Sequence, residues 1–395
     1  MPIASQRNGD DERAVLYPPE LQPLFDDTFV ASWDLFEEYI ARLALVVFRS
    51  TGLEEPCRQE ASVEQAVTGA GLAAAVARVP VAWILAMLAS RGWLESRVGS
   101  GGELRYRLER PLPVLDPTEL VGAQAAHDPR CLPSYRLAAL ATEHYPAVLR
   151  GHTTGEQALF EPEGVSAWIK YFSNDNPLYA ISNAVGAIAA EQALPQGTTA
   201  ILEIGGGLGS GAEALLDRLE AAGRAAQLSA YRFTEISALF LKRAQRTLMA
   251  RYRGCSLAFA PLDINHPFAQ GDIAPGTYSL VYGVNVLHVA RDLAATLYEL
   301  RKALTPGGVL VMSECVRPFP ATPLHLELVF NLLTTFREPV LVPGWRPNGG
   351  FLTPEQWTTA LRTNGFTDVR IFPDIAAIRE VCPSFVVAAI VATRT

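Results

Sequence analysis

The chain reads as an α/β protein with a Rossmann-like core over residues 198–395, an N-terminal helical/winged-helix domain over 1–115, and a helical linker and lid over 116–197. Three features carry this reading. Beyond Thr198, strand-like apolar runs alternate with amphipathic helical stretches, as βαβ units on a parallel sheet require. The first of those runs passes into a helix through Gly205-Gly206-Gly207-Leu208-Gly209-Ser210-Gly211. Near the N-terminus, three helical stretches are followed by a short hairpin.

Residues 25–48 place Phe29, Trp33, Phe36, Ile40, Leu43 and Val47 at helical spacing, and Thr51-Gly52-Leu53 ends the run. Residues 62–69, 72–79 and 81–91 read as short helices, with Pro80 as a stop. Residues 94–98 and 104–108 alternate like two strands, joined by Gly99-Ser100-Gly101-Gly102, which supplies the positive-φ positions of a hairpin turn. This is a winged-helix pattern. Six Arg and four Glu share residues 61–110, too weak a basic face for DNA, so a structural or dimerising role is expected, with a homodimer as the assembly. Pro111-Leu112-Pro113 and Asp116-Pro117 mark a linker, and 135–145 and 163–193 read as mostly helical. In the core the expected order is strand 200–204, helix to 220, strand 228–234, helix 238–250, strands 257–260 and 278–282, helix 293–304 and strand 309–313. Late strands at 369–372 and 385–392 close the sheet.

Composition removes several classes. A formal net charge of −8 argues against nucleic acid as the main partner. The longest nearly unbroken apolar stretch, 79–89, contains Pro80 and falls short of the roughly 20 residues a membrane helix needs. Residues 1–11 show no apolar core for export, so a cytoplasmic location is expected. Five scattered cysteines without a C-x-x-C pair read as reduced core thiols, and no metal site is expected.

The chemistry lies at the strand ends. Glycines at 205 and 207 let the backbone approach a ligand, and the following helix offers its free N–H groups. The frame Gly207-Leu208-Gly209-Ser210-Gly211-Ala212 also satisfies the dinucleotide pattern, so a nicotinamide enzyme is a competing reading. Glu203, two residues before the first glycine, suits a cationic group such as the ammonium of S-adenosylmethionine and would repel a pyrophosphate. At the second strand end Glu235, followed by Ile236, can accept both hydroxyls of a ribose. At the third, Asp263 can take an adenine amino group while Ile264 packs on the ring. Any one acid at a strand end is ordinary; three at successive ends mark a nucleoside cleft.

The fourth strand leads into Asn285-Val286-Leu287-His288, and the fifth ends in Met312-Ser313-Glu314-Cys315. If these strands are neighbours, His288 and Glu314 face one crevice as a general base and the carboxylate that orients it. Asn285 and Glu314 are then expected as polar partners of His288, while His127, His144, His152, His266 and His325 read as structural.

Residues Phe233-Thr234-Glu235-Ile236-Ser237, Asn285-Val286-Leu287-His288, Arg291-Asp292-Leu293, Leu304-Thr305-Pro306-Gly307-Gly308-Val309-Leu310, Glu314 and Leu352-Thr353-Pro354-Glu355-Gln356-Trp357 resemble the C-methyltransferase domains of polyketide synthases. Val148-Leu149-Arg150-Gly151 and Leu159-Phe160-Glu161-Pro162 look like the same family's lid, so the likeness spans roughly residues 130–375. The resemblance implies a class I methyltransferase core, S-adenosyl-L-methionine as cofactor, a catalytic dyad falling on His288 and Glu314, and a β-ketoacyl thioester as acceptor. Glu203, Gly205, Gly207, Glu235, Ile236, Asp263, Ile264 and Asn285 would hold the cofactor. Without a synthase around it, the chain would act in trans on an acyl carrier protein or on a released small molecule. It departs from the family in Glu235, where Asp is commoner, and in Phe336-Arg337-Glu338-Pro339 and Pro343-Gly344-Trp345-Arg346, which replace a Trp-rich stretch. Two rivals remain: a small-molecule O-methyltransferase, although Val289-Ala290-Arg291 follows His288 where such enzymes carry Asp-Trp, and a non-catalytic winged-helix regulator.

Overall fold

The computed structural model describes residues 19–395, so the stretch 1–11 behind the export expectation lies outside the described residues. Helix α1 (Asp27–Ser50) begins where the Asp26 side chain accepts the Phe29 N–H at 2.7 Å, and it buries the predicted stripe from Phe29 to Val47. Then follow α2 (Glu54–Arg58), β1 (Ala61–Ser62), α3 (Val63–Gly69), α4 (Ala74–Ser90), β2 (Glu95–Val98) and β3 (Leu104–Arg107), the strands pairing antiparallel in the order β1-β3-β2. Of the turn glycines at 99–102, only Gly102 takes a positive φ.

Pro80 does not stop the helix; α4 runs through it. An internal proline costs about 3 kcal/mol. Val81, Ile84, Leu85 and Leu88 behind it are fully buried, each contributing roughly 1.5–3 kcal/mol, and Trp83 Nε1 donates to the Leu324 carbonyl at 2.9 Å. Packing outweighs the local penalty.

Helix α5 (Thr118–His127) was not foreseen, because it buries only Leu120 and Gln124 and so carries almost no apolar period. It is followed by α6 (Leu132–Leu149), α7 (Gly155–Leu159), α8 (Pro162–Tyr171) and α9 (Pro177–Ala193). The stretch 163–193 is therefore two helices. Pro177 holds Asn176 out of helical geometry, and the buried Asn176 side chain donates to the Tyr171 carbonyl at 2.9 Å.

The core contains β4 (Thr199–Glu203), α10 (Ser210–Ala221), β5 (Leu228–Thr234), α11 (Ala238–Arg251), β6 (Leu257–Ala260), β7 (Tyr278–Val284), α12 (Leu293–Ala303) and β8 (Leu304–Cys315). Next come α13 (Glu327–Phe330), α14 (Thr334–Arg337), α15 (Pro354–Thr363), β9 (Phe366–Phe372), α16 (Ile375–Val381) and β10 (Val387–Arg394). The seven strands run in the order β6-β5-β4-β7-β8-β10-β9. Strands β4 to β8 pair in parallel as expected, whereas β10 lies antiparallel between β8 and β9. The sheet is a parallel core finished by a reversed hairpin. Its strand order turns back on either side of β4, so the crevice beyond that strand is where a ligand belongs.

The N-terminal helices roof this crevice. Trp83 reaches Leu324, Tyr145 Oη donates to the Leu328 carbonyl at 2.6 Å, and Trp33 Nε1 donates to the Ser384 carbonyl at 3.1 Å. All five cysteines are free; four are buried and Cys255 is half-buried against the core. No single helix among the described residues is long and apolar enough to cross a membrane.

Two glycines test this packing with opposite signs. A Cβ on Gly155 would lie 1.9 Å from the Leu332 carbonyl oxygen, so Gly155→Ala should lower the urea midpoint, at a cost of about 1–3 kcal/mol. Gly122 lies inside α5 with no atom within 4 Å of that point, so Gly122→Ala should raise it by about 0.5–1 kcal/mol. The reverse ranking would contradict the placement of α5 and α7.

Candidate active site

Strand β4 delivers Glu203 as its last residue, and its carboxyl is 1% exposed. Tyr231 Oη donates to Glu203 Oε2 at 2.8 Å. Burial pushes this carboxyl up to about 8, against the Tyr231 hydrogen bond and with a contribution from the charge on Glu235. Beyond it Gly205 takes φ 55°, and a Cβ there would lie 2.3 Å from Val286 Cγ2, so the strand can turn only on glycine. Gly207 takes φ 57° and opens on the cleft.

Glu235 follows β5. Its Oε2 accepts the Gly207 N–H at 2.9 Å and its Oε1 the Ser237 N–H at 2.7 Å, which ties the end of the second strand to the glycine turn. Burial raises its pKa and those backbone donors oppose the rise. Asp263 Oδ1 accepts the Asn265 N–H at 2.9 Å and its Oδ2 lies 2.9 Å from His266 Nδ1. Ile264 is nearly buried, whereas Ile236 is 64% exposed at the rim. Glu203, Gly205, Gly207, Glu235, Ile236, Asp263 and Ile264 line one cleft of about 320 Å³. The three acids expected at successive strand ends are thus brought together.

The same cleft receives His288. Asn285, at φ 50°, turns the chain sharply after β7. Glu314, next to last in β8, then meets the returning loop: its Oε1 accepts the Val286 and Leu287 N–H groups at 3.1 and 2.6 Å. Its Oε2 lies 2.6 Å from His288 Nδ1. A carboxylate can only accept, so Nδ1 carries a proton, and in the neutral ring Nε2 then holds the lone pair. That Nε2 is buried and has no hydrogen-bond partner. Rings of Phe351, Phe336 and Phe330 surround the imidazole, with centroids 4.5, 5.9 and 6.1 Å away.

One expected partnership is absent. Asn285 does not bond His288; its Oδ1 is 3.5 Å from Cys315 Sγ, because the left-handed turn sends its side chain to the opposite wall. Instead Arg346, fully buried, donates to the carbonyls of His288 and Ala290, both at 2.7 Å. Desolvation lowers its pKa to about 10, which leaves it a cation at neutral pH. Sequence reading missed Arg346, Phe330 and Phe351, since they come from the irregular stretch 316–353, which has no period to read. No group of three or more His, Cys, Asp or Glu among the described residues is arranged to hold a metal ion.

Residues 202–310 match the family described as "Methyltransferase domain". The highly reducing polyketide synthase FUM1 of Gibberella moniliformis is 27% identical over 299 residues, which cover 71% of this chain and 10% of the synthase. The non-reducing polyketide synthase dpmpA of Macrophomina phaseolina is 30% identical over 289 residues, 69% of this chain and 12% of the synthase. The chain thus spans about a tenth of the length of these curated relatives. Among solved structures, the CurJ carbon methyltransferase shares the fold with a TM-score of 0.77 at 23% identity, over 98% of this chain and 97% of that one. The DszA carbon methyltransferase does so at 0.71 and 24%, over 98% and 94%.

Arg346 gives this site a direct stability test. Arg346→Met would strand two buried carbonyls, each costing about 1–3 kcal/mol. Chemical denaturation should show a total loss of about 2–5 kcal/mol, and a loss under about 0.5 kcal/mol would show that the His288 loop does not depend on the guanidinium.

Proposed function

We propose, from a chain that carries a methyltransferase domain, that this protein is an S-adenosylmethionine-dependent carbon methyltransferase acting on the α-carbon of a β-ketoacyl thioester, carrier-bound or released. The observation that carries the proposal is the bare Nε2 of His288, buried in an aromatic wall and fixed through Nδ1 by Glu314. The likeness to polyketide synthases and to carbon methyltransferases supports it.

The cleft suits the cofactor. Glu203 is a buried acid that no basic side chain among the described residues perturbs, so it would take the ammonium. Gly205 and Gly207 leave room for the amino-acid portion, Glu235 would accept ribose hydroxyls, and Ile236, Asp263, Ile264 and Asn285 would enclose the nucleoside. When bound, the cofactor supplies an electrophilic methyl group and departs as a thioether.

The chain's own part is acid–base and positional. An α-carbon between a ketone and a thioester is acidic enough for an imidazole to deprotonate. The proton leaves carbon for His288 Nε2, and the resulting imidazolium is stabilised by Glu314 at 2.6 Å, a charge-assisted contact. Phe330, Phe336 and Phe351 keep water from the enolate. Four arginines of the N-terminal unit pair with acids of the same unit, Arg97 and Arg105 with Glu60, Arg78 with Glu64, and Arg91 with Glu37 and Glu38, which supports a structural role for it over DNA binding.

Methyl-labelled S-adenosylmethionine with a β-ketoacyl carrier protein, or its pantetheine thioester, should yield product with the label on the α-carbon by NMR. Label confined to phenolic oxygens of an alternative acceptor panel would establish the O-methyltransferase reading instead. His288→Ala should cut turnover by at least about 10²-fold while S-adenosylhomocysteine affinity stays within about twofold, since the base touches the acceptor. Turnover retained in that variant would remove the mechanism.

Glu203 makes a pH-dependent prediction. At pH 7 a carboxyl raised to about 8 is mostly protonated, while a ligand's α-amino group is already mostly charged. An arriving ammonium lowers the carboxyl pKa and expels its proton. Calorimetry with S-adenosylhomocysteine should therefore show buffer-dependent heats corresponding to proton release at pH 7, fading as pH rises towards about 8. Glu203→Gln should abolish the effect, and buffer-independent heats in the unaltered protein would contradict this placement of the amine.

A further inference from the structure

Glu203 is not the only buried acceptor at the glycine turn. Asn183, on α9, is 1% exposed and lines the cleft. Its Nδ2 donates to Asn174 Oδ1 at 2.8 Å, and Asn174 Nδ2 in turn donates to the Ser210 carbonyl at 2.9 Å. A backbone carbonyl only accepts, so this chain of bonds fixes both amides and leaves Asn183 Oδ1 as the free end. That oxygen has no hydrogen-bond partner.

Gly211, in the first turn of α10, shows where it faces. A Cβ built on Gly211 would lie 3.2 Å from Glu203 Oε1, 3.3 Å from Val284 Cγ2 and 3.6 Å from Asn183 Oδ1. Two oxygens from different elements, a lid helix and the first strand, thus border one small space that a glycine keeps open. A buried carbonyl oxygen left unpaired is costly, which calls for a donor from outside the chain. An anion carries no hydrogen for the Asn183 oxygen, and a hydroxyl has one hydrogen for two acceptors. A primary ammonium has three donors, no acceptor and a compatible charge.

We infer that Asn183 and Glu203 together seat a primary ammonium group, with Gly211 leaving it room, an assignment that rests on the S-adenosylmethionine reading of the cleft. Half of the amine site then belongs to α9, so an amine-bearing ligand ties the lid helix to the sheet. The same nucleoside without its amino acid makes no such tie.

The test uses the full chain and calorimetric affinities for S-adenosylhomocysteine, its deaminated analogue and 5′-methylthioadenosine. In the unaltered protein, loss of the amine should weaken binding by at least about tenfold. Asn183→Leu should weaken S-adenosylhomocysteine by about tenfold and leave methylthioadenosine within about twofold, while Asn183→Asp, which keeps an acceptor oxygen, should bind S-adenosylhomocysteine more tightly than the Leu variant. Equal affinity for the aminated and deaminated ligands, or equal weakening of all ligands by Asn183→Leu, would overturn the assignment. Failure of the unaltered protein to bind either S-adenosylhomocysteine or methylthioadenosine would instead strike the cofactor reading beneath it.

Discussion

The site depends on one buried carboxylate. Glu314 is fully inaccessible, in a strand flanked by β7 on one side and by β10 on the other, where Ala388 lies opposite it. Removing a carboxylate from water costs several kcal/mol unless its oxygens are satisfied. Here two backbone N–H groups meet one oxygen and an imidazole N–H meets the other. The same three bonds shape residues 286–288, choose the tautomer of His288 and leave Nε2 bare. A side chain without oxygens at 314 would release the loop and the imidazole together, because they are held by one group.

That arrangement was legible where it follows from topology and illegible where it follows from packing. His288 and Glu314 are 26 residues apart, with a single crossover helix, α12, between their strands; successive parallel strands joined in this way usually lie side by side. The three acids at strand ends could be read for the same reason. Asn285 could not, since nothing in its neighbours announces the positive φ that turns its side chain away from His288. Asn183 could not either: α9 is buried on most of its surface, so a polar residue there breaks no periodic pattern. The continuity of α4 through Pro80 and the reversal of β10 have the same origin, local rules overridden by burial that only the assembled molecule defines.

The roof over the cleft is set by a few anchors rather than by regular elements. Stretch 316–353 contributes the Phe330 and Phe351 rings and Arg346, yet it holds only two helices of four residues each. It is held from above by Trp83 and Tyr145, which donate to the Leu324 and Leu328 carbonyls, and from within by the buried ion pair of Arg317 and Glu327. Arg346 then passes that rigidity to the His288 loop through two carbonyls. Helices α4 and α6 therefore act on His288 at two removes.

Charge is distributed in the cleft so that its two ends favour different partners. Glu203, Glu235 and Asp263 stand along the ends of β4, β5 and β6, whereas the wall around His288 is built of phenylalanine rings. Acids at the first end stabilise a positive group held there. At the other end, Glu314 meets the imidazole at Nδ1 alone, and uncharged phenylalanine rings stand around the rest of the ring. The separation of acidic and aromatic surfaces over one cleft gives its two ends different chemistry, carboxyls at the ends of β4, β5 and β6 and an imidazole among rings beyond β7.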